Sequence, residues 1–164
     1  MTAAPDLAPT VRQLAAALQQ RGWLMATAES CTGGQIAAAC TDLAGSSLWF
    51  DRGFVTYSNA AKTEMLGVPA ALIATHGAVS EAVVRAMAHG AVVRSQAQVS
   101  VAVSGVAGPS GGSADKPVGT VWLAWCVQGQ VHSRVHHFPG DRAAVRAQTT
   151  ALALQYLATI LQPP

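Results

Sequence analysis

Apolar positions recur along this chain at two spacings, and their alternation divides it into helices and strands. From Pro9, the residues Val11, Leu14, Ala15 and Leu18 fall at helical spacing, and the run closes at Arg21-Gly22, where glycine takes up the left-handed C-terminal conformation. Trp23 to Ala28 is mostly apolar, as a strand covered on both faces is, and it delivers the chain to Ser30. An Ala-rich helix is predicted from about Gly33 to Leu43. Leu48 to Ser58, rich in aromatic and β-branched residues, reads as a second strand, after which Ser58 or Asn59 caps a short helix carrying Lys62, Met65 and Leu66 and stopping at Gly67. Pro69 starts another short helix to Thr75. Ser80 with Glu81 starts a longer one, striped by Val83, Val84, Met87 and Ala91, with Arg94 to Gln98 as its polar exit. Val99 to Ser104 is a third strand, and it opens into a glycine-rich loop from Gly105 to Pro117. Val118 to Val127 and Val131 to Phe138 form a hairpin about Gln128-Gly129-Gln130, the second strand alternating only weakly, as an edge does. Pro139-Gly140-Asp141 then leads into a last helix with Ala143, Ala147, Ala151, Leu154, Leu157 and Leu161 on its apolar side.

This alternation predicts an α/β fold: a three-layer α/β/α sandwich around a mostly parallel mixed sheet of about five strands, with one antiparallel hairpin strand. Ligands of such sheets bind beyond the carboxyl ends of the strands, and Ser30, Tyr57 and the glycine-rich loop all fall at that edge. A length of 164 residues fits one domain, 1–164. At that size a chain buries about two thirds of the surface its unfolded form exposes. With a formal charge of +2 and 11% charged residues there is no concentrated basic face, which argues against nucleic acid as a partner. No apolar run approaches the roughly 18 residues of a membrane span. The N-terminal residues lack the basic and apolar regions of a secretory signal, so a cytoplasmic location is expected. The three cysteines, Cys31, Cys40 and Cys126, have neither disulfide-framework parity nor zinc-ligand spacing, and the His132, His136 and His137 cluster follows strand alternation without accompanying acidic ligands. No metal is expected. An exposed sheet edge and an apolar composition favour a homo-oligomer, a dimer first.

The candidate chemistry starts from Met25-Ala26-Thr27-Ala28-Glu29-Ser30-Cys31-Thr32-Gly33-Gly34, a strand, turn and helix start. Helix-start amides suit an anion or a developing oxyanion, which sets Ser30, Cys31 and Thr32 at a substrate-binding anion site, marks Ser30 as a nucleophile and offers the backbone of Thr32, Gly33 and Gly34 as its oxyanion donors. Simple capping by Ser30 or Thr32 is the favoured reading of this stretch when it stands alone. Lys62 and Lys116 are the sole lysines in a chain that otherwise uses arginine, and a desolvated lysine can act as the base that arginine cannot. Tyr57 and Lys62 flank one strand-to-helix turn, completing a Ser–Tyr–Lys set without histidine. Cys31 is a rival nucleophile if the helix start lowers its pKa. The loop lacks both the P-loop and the dinucleotide fingerprint, yet its glycines, including Gly105 and Gly108, let backbone approach a polar ligand, with Ser104 and Ser110 supplying hydroxyls. Arg142 and Arg146, four apart on the last helix, could grip a phosphate or form a solvated stripe.

Four ordered motifs, Thr27 to Gly34, Gly53-Phe54-Val55-Thr56-Tyr57-Ser58-Asn59 with Lys62, Gly77-Ala78-Val79-Ser80, and Gly105-Val106-Ala107-Gly108-Pro109 with Lys116 to Val121, resemble the CinA C-terminal domain family. The resemblance runs from about Val11 to Leu161. It implies a stand-alone nicotinamide-nucleotide amidohydrolase without the pyrophosphatase domain of the two-domain CinA proteins. The implied reaction converts nicotinamide mononucleotide to nicotinate mononucleotide and ammonia in pyridine nucleotide salvage, with no cofactor. The family's catalytic serine, tyrosine and lysine fall on Ser30, Tyr57 and Lys62. Ser104 replaces an expected threonine, and Ser110 interrupts the loop glycines. An inactive nucleotide-binding module of the same fold, or an amidase for another small molecule, are the competing readings.

Overall fold

In the computed structural model, which describes residues 3–163, six α-helices flank one five-stranded sheet. In chain order the elements are α1 (Ala8–Arg21), β1 (Met25–Glu29), α2 (Gln35–Thr41), β2 (Phe50–Val55), α3 (Asn59–Leu66), α4 (Ala70–His76), α5 (Glu81–Val93), β3 (Val99–Gly105), β4 (Thr120–Val127), β5 (Gln130–His137) and α6 (Arg142–Ile160). Local chemistry accounts for most boundaries. Gly22 closes α1 at φ 66°, and the side chains of Ser58, Ser80 and Asp141 cap α3, α5 and α6 by accepting amide hydrogens.

Three boundaries differ from expectation for identifiable reasons. The second helix starts at Gln35, not Gly33, because Gly33 and Gly34 take left-handed φ values of 58° and 106°. The second strand is shorter than Leu48 to Ser58, since Ser46–Leu48 winds into a 3-10 turn and Tyr57 and Ser58 form the entry to α3. The hairpin turn is two residues long, with positive φ at both Gln128 and Gly129, so Gln130 already pairs in β5.

The strands lie in the order β2-β1-β3-β4-β5. β1 pairs parallel with β2 and β3, and β4 runs antiparallel to both its neighbours, so four strands share one direction. Their carboxyl ends, the start of β4 and the start of α6 therefore meet at one edge. Residue size alternates across the sheet. Met25, Val99, Val101, Val103, Leu123 and Trp125 pack on α1, α2 and α6, whereas Ala26, Ala28, Ala102 and Ala124 face α3 to α5. The small-residue face lets α5 lie close enough for the Ser100 hydroxyl to donate to the Ala88 carbonyl at 2.6 Å.

Gly90 of α5 sets a second close approach: a Cβ there would overlap the Leu66 carbonyl oxygen at the end of α3. Alanine in a helix is otherwise favoured over glycine by about 1 kcal/mol, but forced overpacking costs roughly 1–3 kcal/mol. The overlap here is with backbone, which cannot rotate away, so Gly90→Ala is expected to lower stability in urea unfolding. Equal or higher stability would show that α3 and α5 separate freely.

Candidate active site

The turn that follows β1 is held from four sides. The Ser30 amide donates to the Val103 carbonyl of β3 at 3.1 Å, and the Thr56 amide donates to the Glu29 carbonyl at 2.9 Å. Gly33 N–H closes onto the Ser30 carbonyl at 3.1 Å. The Glu29 side chain is fully buried, and its carboxylate accepts from the Thr32 hydroxyl at 2.6 Å and from the amides of Gly34, Ile36 and Ala37 at 3.2, 2.9 and 3.0 Å. On the opposite side, Arg146 donates through Nε to the Cys31 carbonyl at 3.0 Å and through Nη2 to the Thr32 carbonyl at 3.2 Å. The start of α2 thus already holds an anion, supplied by the chain itself. This corrects the expected roles of Gly33 and Gly34 as oxyanion donors, because both amides are engaged. It also corrects the capping alternative: the N-cap is Gly34, without a side-chain cap, and the Thr32 hydroxyl serves Glu29.

Lys62, in the first turn of α3, points inward and is 1% exposed. Its Nζ lies 3.1 Å from Ser30 Oγ, 2.9 Å from the Thr56 carbonyl and 3.2 Å from the Tyr57 carbonyl. No carboxylate pairs with it; among the described residues the one ion pair is Arg52 with Asp51. Burial lowers the Lys62 pKa, with Cys31 opposing the shift. The two carbonyls can only accept, so they fix two N–H bonds of the amine, and its third position, an N–H donated to Ser30 Oγ when charged and the lone pair when neutral, faces Ser30. A serine with an uncharged lysine at hydrogen-bond distance can act as a nucleophile with its own base.

Tyr57 enters this arrangement differently from the expected relay. Its side chain is 63% exposed, and its hydroxyl accepts from Arg142 Nη2 at 3.2 Å, not from Lys62, while its backbone carbonyl holds the amine. Cys31 adjoins Ser30, but burial pushes its thiol up to about 11, so it stays protonated at neutral pH and is no rival nucleophile.

Ser30, Cys31, Tyr57, Lys62, Ser104, Gly105 and Arg142 line one cleft of about 270 Å3. Asn59, Ala78, Val79 and Ala107 complete it, and these were not singled out from sequence. Their available signal was the motifs they stand in: Ala78 and Val79 in Gly77 to Ser80, Asn59 at the end of Gly53 to Asn59, and Ala107 in Gly105 to Pro109. The glycine-rich loop and its neighbours are fastened within the protein. Ser104 donates to the Ala78 carbonyl at 2.9 Å, Lys116 Nζ to the His76 carbonyl at 2.9 Å and Arg142 Nη1 to the Gly108 carbonyl at 2.9 Å. Gly105 is required by packing, since a Cβ would sit 2.5 Å from Val121 Cγ2, and at Gly108 it would sit 2.5 Å from Val118 Cγ1. Both glycines therefore make room for neighbouring side chains; Gly105 also lines the cleft, whereas Gly108 and the exposed Ser110 lie outside it. A second cavity of about 640 Å3 adjoins the cleft, sharing Ala107 and Arg142 and adding Pro109, Val118 and Arg146. Arg142 and Arg146 do face one cavity, but Arg146 also braces the Cys31–Thr32 backbone. The histidine cluster resolves into separate contacts, His136 stacking on Phe138 at 5.4 Å.

Fold and geometry together define an α/β/α sandwich carrying a serine–lysine pair at its carboxyl edge. The chain belongs to the CinA C-terminal domain family, whose model matches residues 7–161. It is 54% identical over 153 residues to the nicotinamide-nucleotide amidohydrolase PncC of Escherichia coli (strain K12), covering 93% of each chain. With the protein of the same name from Pseudomonas putida it shares 60% identity over 131 residues, 80% of this chain and 82% of that one. The competence/damage inducible protein CihA of Agrobacterium tumefaciens superposes with a TM-score of 0.92 at 45% identity, over 99% of this chain and 100% of its own. A CinA superfamily protein of Klebsiella pneumoniae superposes with a TM-score of 0.92 at 42% identity, over 96% and 98%. No helix among the described residues is long and apolar enough to cross a membrane.

Thiol chemistry checks the electrostatics of the site. All three cysteines are buried free thiols with raised pKa values. At pH 8 only about one Cys31 side chain in a thousand is thiolate. The native protein is therefore expected to react slowly with DTNB at pH 8 and to yield three thiols at once in guanidinium; a fast native equivalent assigned to Cys31 would contradict this environment.

Proposed function

We propose that this chain hydrolyses the carboxamide of nicotinamide mononucleotide to nicotinate mononucleotide and ammonia, a cytoplasmic step in pyridine nucleotide salvage. The observation that carries the reading is the buried Lys62 amine 3.1 Å from Ser30 Oγ with no carboxylate partner. Relatives 54% and 60% identical bear the name of that activity, which supports the choice of substrate.

The proposed chemistry needs one base used twice. Ser30 Oγ attacks the carboxamide carbon as its proton passes to Lys62 Nζ, giving a tetrahedral intermediate. Collapse breaks the C–N bond, and Lys62 returns the proton to the departing nitrogen, which leaves as ammonia. Water then attacks the acyl-enzyme, Lys62 takes its proton, and Ser30 recovers that proton from Lys62 as nicotinate mononucleotide departs. The ribose phosphate extends into the adjoining cavity toward Arg142 and Arg146, with Tyr57 and Arg142 forming the rim between the two spaces. The route uses no metal or redox cofactor. Open edges at β2 and β5 keep a homodimer the assembly we favour.

Incubation with nicotinamide mononucleotide is expected to release ammonia, and no release at high enzyme concentration would refute the reading. Ser30→Ala and Lys62→Arg should each lower kcat more than about 1000-fold, the second because guanidinium does not give up its proton. Burial holds Lys62 below its ordinary 10.5, so the neutral base fraction grows with pH: kcat/KM should climb with unit slope and level off below 10.5. Tyr57→Phe should raise KM about 3- to 10-fold with kcat held within about twofold, since the hydroxyl bonds Arg142 and not the reacting pair. A collapse of kcat at constant KM would instead put that hydroxyl in the proton path.

A further inference from the structure

Five amides follow β1 in the turn Ser30 to Gly34, and three of them have acceptors. Ser30 N–H is on the Val103 carbonyl and Gly33 N–H on the Ser30 carbonyl. Gly34 N–H is on Glu29. Thr32 N–H also has no acceptor among the described residues, but Thr32 is fully buried and does not line the cleft. That leaves Cys31, whose N–H meets no carbonyl or carboxylate acceptor among the described residues, only its own thiol, and whose residue lines the cleft beside Ser30. Buried amides without acceptors are rare, and one next to a nucleophile is placed to receive the oxygen that becomes negative when that nucleophile adds.

The direction of this N–H is set by its neighbours. The peptide bond between Ser30 and Cys31 is trans, so the Cys31 N–H points opposite the Ser30 carbonyl, which the Gly33 amide holds inside the turn. The residues that follow are tied to Glu29, whose carboxylate accepts from Thr32, Gly34, Ile36 and Ala37. Arg146 secures the same segment by the Cys31 and Thr32 carbonyls. Glu29 itself does not line the cleft.

We infer that Glu29 is a positioning residue: its carboxylate holds the Ser30–Gly34 turn so that the Cys31 amide faces the oxyanion formed on Ser30 attack. The inference rests on Ser30 being the nucleophile of the proposed amide hydrolysis. Glu29→Gln keeps the shape but sets an NH2 group against at least one donor N–H, whichever way the amide lies.

The test reads two reactions of the whole protein. With nicotinamide mononucleotide, Glu29→Gln is expected to lower kcat about 10- to 100-fold with KM within about twofold. With a fluorophosphonate, Ser30 Oγ displaces fluoride at phosphorus and its proton passes to Lys62, and the labelling rate should fall by a similar factor. Thr32→Val, which removes one donor from Glu29 and leaves the carboxylate, should lower both rates about 3- to 10-fold. Wild-type kcat and labelling rate in Glu29→Gln would overturn the inference, as would a change confined to KM. If Glu29→Gln does not fold, Thr32→Val decides alone, and wild-type rates there overturn it. A wild type labelled at Ser30 that releases no ammonia refutes the substrate reading, and the labelling rates of the variants still decide the role of Glu29. Failure of the wild type to label at Ser30 overturns both.

Discussion

The candidate site depends on one contact that no single segment can make, the hydrogen bond between Lys62 Nζ and Ser30 Oγ. Ser30 comes from the end of β1, the two carbonyls that orient the amine from the exit of β2, and the amine itself from the first turn of α3. A buried lysine without a carboxylate partner is costly in its charged form, and here the cost favours the neutral amine. Had an acidic residue been placed beside it, the pair would have been more stable as ions and the lysine poorer as a base.

Charge near this contact is kept internal. Glu29 is buried but satisfied by four donors, all from the segment that follows it, so it consumes the start of α2 without approaching Lys62 as a salt-bridge partner. Arg146 reaches the opposite side of the same turn from α6, and Arg142 joins Tyr57 to the glycine-rich loop through the Gly108 carbonyl. The cleft is therefore walled by backbone whose polar groups are mostly paired within the protein, as buried polar groups must be.

The unequal faces of the sheet make this possible. Alanines on one face bring α5 close, and the segment leading into α5 then comes near enough to β3 for Ser104 to hold the Ala78 carbonyl. Bulky Val, Leu and Trp side chains on the other face pack against α6, whose first turns carry the two arginines. Packing thus sets where the cleft walls stand, and the parallel strands set that they stand at one edge.

Much of this was determined by sequence alone. Apolar periodicity and caps at Gly22, Ser58, Ser80 and Asp141 specify the elements, because those are local hydrogen-bonding and burial patterns. The scarcity of lysine drew attention to Lys62, with Tyr57 and Ser30 at the same sheet edge, and the family resemblance added the weight that spacing alone lacked. Tertiary structure alone decided which donor meets which acceptor. Glu29 reads in sequence as an unremarkable acid, and its role exists only because the turn folds its own amides onto it. Tyr57 and Lys62 are five residues apart, yet the strand exit sends one hydroxyl outward to Arg142 and the helix sends the other side chain inward to Ser30. Gly105 and Gly108 announce close approach, but only packing shows that what approaches is Val121 and Val118. Residue type and spacing constrain which groups are near an edge; hydrogen-bond directions, which depend on the backbone's path through three layers, determine what each group does there.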